Sequence, residues 1–271
     1  MKLVVLVDNA PGKQIDGLIA EHGLSIWMEV DGQQWLIDTG ESDAFAQNAS
    51  RLGINIADVD NLILSHGHRD HCGGLETFLS LNDKAKIYIS ANICDNNYYS
   101  TRRGMKRDIS LTHSLIKSNA ERIVFIKHNI SLSDNVSIAT TIPHNHPLPQ
   151  ANATLLKNDS LDDFDHEIVV AVNTLYGVVI ISPCSHNGVL NTLDACSHLG
   201  NISHYIGGTH LIDNFENEEE LNTLASILKI QHPNLALISG HCTGISAKNA
   251  FKNALNNKFI EFYTGFILET E

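Results

Sequence analysis

The chain has 271 residues, 43% of them hydrophobic and 18% charged, a globular composition with enough apolar material for a sizeable core. Its formal net charge of −13 argues against general nucleic-acid binding, because a phosphate backbone would be repelled. The longest apolar region, Ile168 to Ile181, is interrupted by Asn173 and Thr174, so no membrane span is expected.

Lys2 to Val7 reads as a β-branched-rich strand ending at Asp8 and Asn9. Residues 9–23 are polar and contain glycine, a loop that holds His22. Ser25 to Val30 and Gln33 to Ile37 flank Asp31-Gly32, a strong hairpin signal. A helix is expected over about 42–52. The N-terminal apolar run is too short for a signal peptide. The five cysteines are odd in number and show no disulfide framework, so they read as reduced thiols in a cytoplasmic protein.

The most informative stretch is Asn61-Leu-Ile-Leu-Ser-His-Gly-His-Arg-Asp-His-Cys-Gly-Gly74. It reads as a buried strand, Leu62 to Ser65, running into a loop and then a helix over about 72–80. Residues alternate sides along an extended backbone, so His66 and His68 point the same way. Asp70 and His71 follow at the turn. Imidazole nitrogen and carboxylate oxygen suit zinc and other borderline first-row ions. One ion would not take all four donors and keep an open position; two ions, with His66 and His68 on one and Asp70 and His71 on the other, fit better.

Further on, Lys86 to Ile89 is a strand. Arg102, Arg103, Lys106 and Arg107 then place four of the 18 basic residues within six positions, either a clamp for phosphate or carboxylate or a solvated loop. A short helix is expected over 109–119, and strands over Arg122 to Ile126 and Val136 to Thr140. Residues 141–166 hold three of the six prolines and no clear period, a lid or binding loop. His144 and His146 within it read as exposed, with a substrate contact as the alternative. The acidic run Asp162 to Glu167 reads as a solvated lead-in, with Asp165 and His166 as weak site candidates. Ile168 to Val172 and Gly177 to Ser182 are a second strand pair, followed by Cys184-Ser-His186 and a helix over about 188–197. The remainder alternates strand and helix: His204 to Ile206, Leu221 to Ile230, Leu235 to Ser239, Ser246 to Leu255, Phe259 to Phe262 and Phe266 to Leu268.

H-x-H-x-D-H after an apolar strand resembles the signature of the metallo-β-lactamase superfamily. Val7-Asp-Asn9, Glu21-His-Gly-Leu-Ser25, Ile37-Asp-Thr-Gly40, Ser182-Pro-Cys-Ser-His186, Gly207-Gly-Thr-His-Leu211 and His241-Cys-Thr-Gly244 occur in the order of one branch. That branch is labelled 7,8-dihydropterin-6-methyl-4-(β-D-ribofuranosyl)-aminobenzene-5′-phosphate synthase-like. The resemblance implies an α/β fold, a four-layer αββα sandwich forming one domain over residues 1–271. It implies two divalent ions, zinc first and Mn2+ or Fe2+ as alternatives. His66, His68 and His186 would hold one ion; Asp70, His71 and His241 would hold the other. It makes Asp38 a carboxylate that orients a metal-binding histidine.

One departure from the branch pattern concerns the bridging aspartate of many relatives, which follows a glycine; the corresponding pair here is Gly207-Gly208. His210, two residues on, is then a ligand, a group that contacts substrate or moves a proton, or a structural histidine. Cys72, Cys184 and Cys242 read as packing residues, with ligand or redox roles as the alternative. The implied activity is hydrolysis of an anionic, phosphate-bearing small molecule by a metal-activated hydroxide that Asp70 aims. A transferase of the branch's named type and a non-catalytic metal-holding protein are the alternatives. The sequence leaves the oligomeric state open.

Overall fold

Leu3 and Val5 face one way along the first strand and Val4 and Leu6 the other, and all four are buried. A strand covered on both faces belongs between two layers. The computed structural model of the protein describes residues 1–13 and 15–270. The loop expected over 9–23 includes residue 14, which lies outside the described residues.

In chain order the first half contains β1 (Lys2–Val7), β2 (Ser25–Val30), β3 (Gln33–Ile37), α1 (Ala44–Arg51), β4 (Asn61–Leu64), α2 (Arg69–Cys72), α3 (Leu75–Leu81) and β5 (Lys86–Ser90). It continues with β6 (Tyr98–Ser100), β7 (Arg107–Asp108), α4 (His113–Ser118), β8 (Ile123–Ile126), β9 (Ile130–Ser131) and β10 (Val136–Ala139). The second half contains β11 (Leu155–Lys157), β12 (Ser160–Leu161), β13 (Val169–Thr174), β14 (Gly177–Ile181), α5 (Val189–Cys196) and β15 (Ile202–Gly207). It closes with α6 (Glu218–Gln231), β16 (Ala236–Ser239), α7 (Ile245–Leu255), β17 (Phe259–Glu261) and β18 (Ile267–Glu269).

Among the described residues, two seven-stranded sheets run β18-β1-β2-β3-β4-β5-β8 and β17-β16-β15-β14-β13-β10-β9. Each is antiparallel at one end and parallel at the other, where helices make the crossovers. Leu3, Val5 and Ile63 meet Val170, Val172 and Ile206 in a core between the sheets. Val4 and Leu6 pack with Phe45 of α1 and Phe78 of α3, outside the first sheet. Val169 and Ala171 pack with Leu193 of α5, Leu228 of α6 and Phe251 of α7, outside the second. The layers are α, β, β, α, the sandwich that the resemblance implies. No helix among the described residues is long and apolar enough to cross a membrane.

Three local expectations change. The helix predicted over 72–80 begins only at Leu75, as α3, and a separate turn of helix, α2, precedes it, the two divided by Gly73 and Gly74. A Cβ on Gly73 would sit 2.3 Å from the Glu41 carbonyl oxygen, so the chain passes its neighbour too closely for any side chain. The helix predicted over 109–119 shrinks to α4, because residues 109–111 are extended against the histidine loop. There Arg69 N donates to Ile109 O and Leu111 N to Gly67 O. Finally, the segment 141–166 is not without secondary structure: its β11 and β12 join β6 and β7 in a third sheet. Ser100 pairs with Arg107 there, so the basic residues 102–106 form the tip of a hairpin.

Candidate metal centre

The carboxyl ends of the strands of both sheets converge on one edge. β1 delivers Asp8 and Asn9, β3 Asp38, β4 Ser65 to His68, β14 Cys184 and His186, β15 His210, and β16 His241. Ligand sites in α/β sheets lie at strand carboxyl ends for this reason. Several of these residues have left-handed backbone: Asp38 (φ 58), Ser185 (φ 56), His210 (φ 51) and His241 (φ 49). Each such non-glycine position costs about 1–3 kcal/mol, held by the surrounding bonds.

Hydrogen bonds assign the imidazole protons. Ser65 Oγ donates to Asp38 Oδ2 at 2.7 Å, so it accepts from His66 Nδ1 at 2.8 Å. That leaves His66 Nε2 as a bare acceptor, buried and without a hydrogen bond. Asn152 Nδ2 donates to the His186 carbonyl, which turns its Oδ1 toward His186 Nδ1 at 3.3 Å. His186 Nε2 is therefore bare as well, and it too is buried without a partner. Burial and the neighbouring histidines push both rings well below the usual imidazole range, so both are neutral.

A second group faces the first. His71 Nδ1 donates to Asp38 Oδ2 at 2.7 Å, and His241 Nδ1 donates to Asn9 Oδ1 at 3.1 Å. Their Nε2 atoms then point at each other, 3.0 Å apart, and Asp70 Oδ2 lies 3.6 Å from each. Two nitrogens on one tetrahedral zinc stand about 3.3 Å apart, so this triangle has the size of a ligand face. Burial pushes His71 down, but Asp70 and Asp38 outweigh it and push the ring up to about 9. Burial also opposes ionisation of Asp70, but His71, His241 and His22 hold its carboxyl well below the usual range. An ion at this face would displace the proton that His71 otherwise holds.

Two further residues flank these groups. His68 packs edge-on to His66 and His186, with its Nε2 3.7 Å from Asp162 Oδ2. His166 accepts from Gly67 N through Nδ1 and donates to Asp162 Oδ2 through Nε2 at 3.1 Å. Asp162 is thus a buried site-wall carboxylate rather than part of a solvated lead-in. Asp165, by contrast, is exposed and pairs with Lys157. His144 bonds Asn187 and His146 pairs with Asp194, on the α5 side.

A family model described as the metallo-beta-lactamase superfamily matches residues 19–171. The chain belongs to this superfamily. It is 27% identical, over 92% of its length and 90% of the relative's, to 7,8-dihydropterin-6-methyl-4-(beta-D-ribofuranosyl)-aminobenzene-5'-phosphate synthase of Methanocaldococcus jannaschii. It superposes with a TM-score of 0.82 on the crystal structure of a metal-dependent hydrolase of the beta-lactamase superfamily, at 27% identity, covering 100% of this chain and 99% of that one. A diphosphatase of the PhnP family shares the fold at a TM-score of 0.57 and 14% identity, covering 100% of this chain and 98% of that one.

In this superfamily member the bare, buried nitrogens of His66 and His186 and the facing nitrogens of His71 and His241 fit divalent-ion ligation. Within 4.8 Å groupings, His66 and His186 come together with Cys184, and His71 and His241 come together with the same Cys184. His210 is in neither grouping, although its ring packs with its centroid 4.1 Å from that of His186. Arg102 Nη2 donates to His210 Nε2 at 3.3 Å, and a guanidinium cannot accept, so the His210 proton is on Nδ1. That Nδ1 is buried without a partner. In this tautomer the His210 Nδ1–H is the ring's free donor.

The position expected for a bridging carboxylate has no room for one. A Cβ on Gly208 would lie 2.3 Å from Cys242 Sγ and 2.8 Å from the Pro183 carbonyl oxygen. Gly208→Ala is expected to lose about 1–3 kcal/mol of stability, the usual cost of overpacking. Urea unfolding of the metal-free protein measures it; an unchanged midpoint would show that the backbone yields there.

Above the donors lies a cavity of about 510 Å³ lined by His68, Asp70, His186, His210 and the hairpin residues Arg102, Arg103, Lys106 and Arg107. Lys106 is partly committed, pairing with Asp159 and lying 4.0 Å over the Tyr99 ring.

Proposed function

We propose that the protein is a metal-dependent hydrolase acting on an anionic, phosphate-bearing small molecule. The observation that carries this reading is the position of Arg102. It extends from the basic hairpin to His210, joining a cationic rim to a floor of bare histidine nitrogens. Guanidinium groups in such a place bind phosphate or carboxylate in paired hydrogen bonds.

His66, His68 and His186 would hold one ion and Asp70, His71 and His241 the other, with zinc the first choice. Bound ions supply Lewis acidity, making water nucleophilic near neutral pH and polarising a substrate oxygen. Asp70 accepts a hydrogen bond from the attacking water and aims it. His210 Nδ1–H donates to the oxygen that gains negative charge, and Arg102 keeps that proton on Nδ1. Arg103 and Arg107 take up the remaining substrate charge. The segment 141–166 forms part of the binding wall, through Asn152 on His186 and Asp162 beside His68. The free cysteines suit a reducing compartment, and we place the protein in the cytoplasm.

A transferase is the second reading, favoured by the synthase of M. jannaschii, which aligns with 92% of this chain. A panel of phosphomonoesters, phosphodiesters and diphosphates, run in heavy-oxygen water, separates the two. Hydrolysis puts the label into product; condensation of two organic substrates does not. Arg102→Ala is expected to raise KM about 10- to 100-fold, the worth of a hydrogen bond to a charged group. Turnover with an unchanged KM in Arg102→Ala would remove the anionic-substrate reading.

A further inference from the structure

The two donor groups share one neighbour. Cys184 Sγ lies within 4.8 Å of a ring nitrogen of His66, His186, His71 and His241. We propose that Cys184 is a ligand common to both ions, a bridging thiolate standing where many relatives use a carboxylate. The inference rests on the metal centre proposed above.

Four observations support it. Gly208 leaves no space for the carboxylate, whereas Cys184 is already between the donor groups. The nitrogens of His66 and His186 that share its neighbourhood are buried and make no hydrogen bond, so they await a partner that is not protein. Sulfur at about 2.3 Å and nitrogen at about 2.05 Å from one tetrahedral zinc stand about 3.5 Å apart, within the observed grouping. Finally, the six expected donors include a single carboxylate, Asp70, and a thiolate adds a second negative charge against two dications.

The backbone around Cys184 is built to hold it. Buried Glu167 accepts from the N–H groups of His186 and Asn187 at 2.8 and 2.9 Å, clamping the loop just beyond the cysteine. Coordination releases the thiol proton to solvent and needs no oxidant. A soft thiolate among imidazoles selects zinc or iron over manganese or magnesium. Cys242 Sγ, 3.4 Å from Cys184 Sγ, is the competing thiol, but it belongs to neither donor grouping.

The test is a titration of the chelator-stripped full chain with Co2+ under anaerobic conditions. Ligand-field bands in the visible report binding, and a sulfur-to-cobalt charge-transfer band in the near ultraviolet reports a thiolate ligand. The charge-transfer band is expected to grow through both the first and the second equivalent. It should vanish in Cys184→Ser and persist in Cys242→Ser. Ligand-field bands without charge transfer would overturn the inference while leaving the metal centre standing. So would a band that stops growing at one equivalent, or one that survives in Cys184→Ser. Absence of any cobalt signal would overturn the metal centre itself. Should Cys184→Ser fail to fold, the two-equivalent growth in the unaltered chain, together with Cys242→Ser, still decides.

Discussion

Asp38→Ala is expected to cost about 3–5 kcal/mol of folding stability and to weaken metal binding about 10- to 100-fold. Asp38 is fully buried and accepts three hydrogen bonds. Its Oδ1 takes Ser65 N at 2.7 Å, and its Oδ2 takes Ser65 Oγ and His71 Nδ1, each at 2.7 Å. Alanine would leave all three donors buried and unpaired, and the His71 charge with them. The ring of His71 would then lose the bond that presents Nε2 to the centre, and His66 would lose the Ser65 orientation that presents its own. Denaturant unfolding in chelator isolates the stability cost, and competition with a chromogenic chelator isolates the affinity cost. A loss under 1 kcal/mol with unchanged affinity would show that His71 is oriented by packing alone.

Asp70→Asn is expected to lower kcat about 100- to 10,000-fold at saturating metal, the range for a lost proton-handling group. The carboxylate sits 3.6 Å from the Nε2 atoms of both His71 and His241, on the cavity side of the centre. An amide there retains the shape but loses the charge and the second acceptor oxygen, so water would be neither aimed nor relieved of its proton. Metal content measured alongside separates lost ligation from lost chemistry. Undiminished turnover with full metal content would exclude a catalytic role for Asp70. Ligand binding without turnover in the unaltered chain would favour a metal-holding binding protein.

The H-x-H-x-D-H stretch was legible because residue type and spacing act together: an apolar strand, then donors at fixed offsets. The same holds for the strand pairs around Asp31-Gly32 and around Leu175 and Tyr176, whose alternation or apolar runs need no tertiary information. The third sheet was not legible, since strands of two or three residues carry no period, and its two short hairpins are joined into one sheet only by pairing across more than 50 positions. Asp162 was hidden for another reason. An acidic run looks the same whether it is solvated or whether one member turns inward to His166 and His68. Cys184 shows the limit most sharply: a packing cysteine and one set between two donor groups have the same local sequence. Gly208 read as a missing carboxylate, and only the close approach of the Cys242 sulfur and of the Pro183 carbonyl oxygen, at 2.8 Å, shows how crowded a side chain would be there.

The donors come from both sheets. Asp70 and His71 follow β4 in the first, while Cys184 and His241 follow β14 and β16 in the second. His71 and His241 are separated by 170 positions. An ion gripped by both would act as a clasp between distant parts of the chain, stabilising the folded state because the unfolded chain offers no such site. Such a clasp can be opened without reduction, simply by lowering free metal. The integrity of the sandwich and the readiness of its active edge would then depend on the same supply of metal, so a starved chain would lose mechanical cohesion along with chemistry.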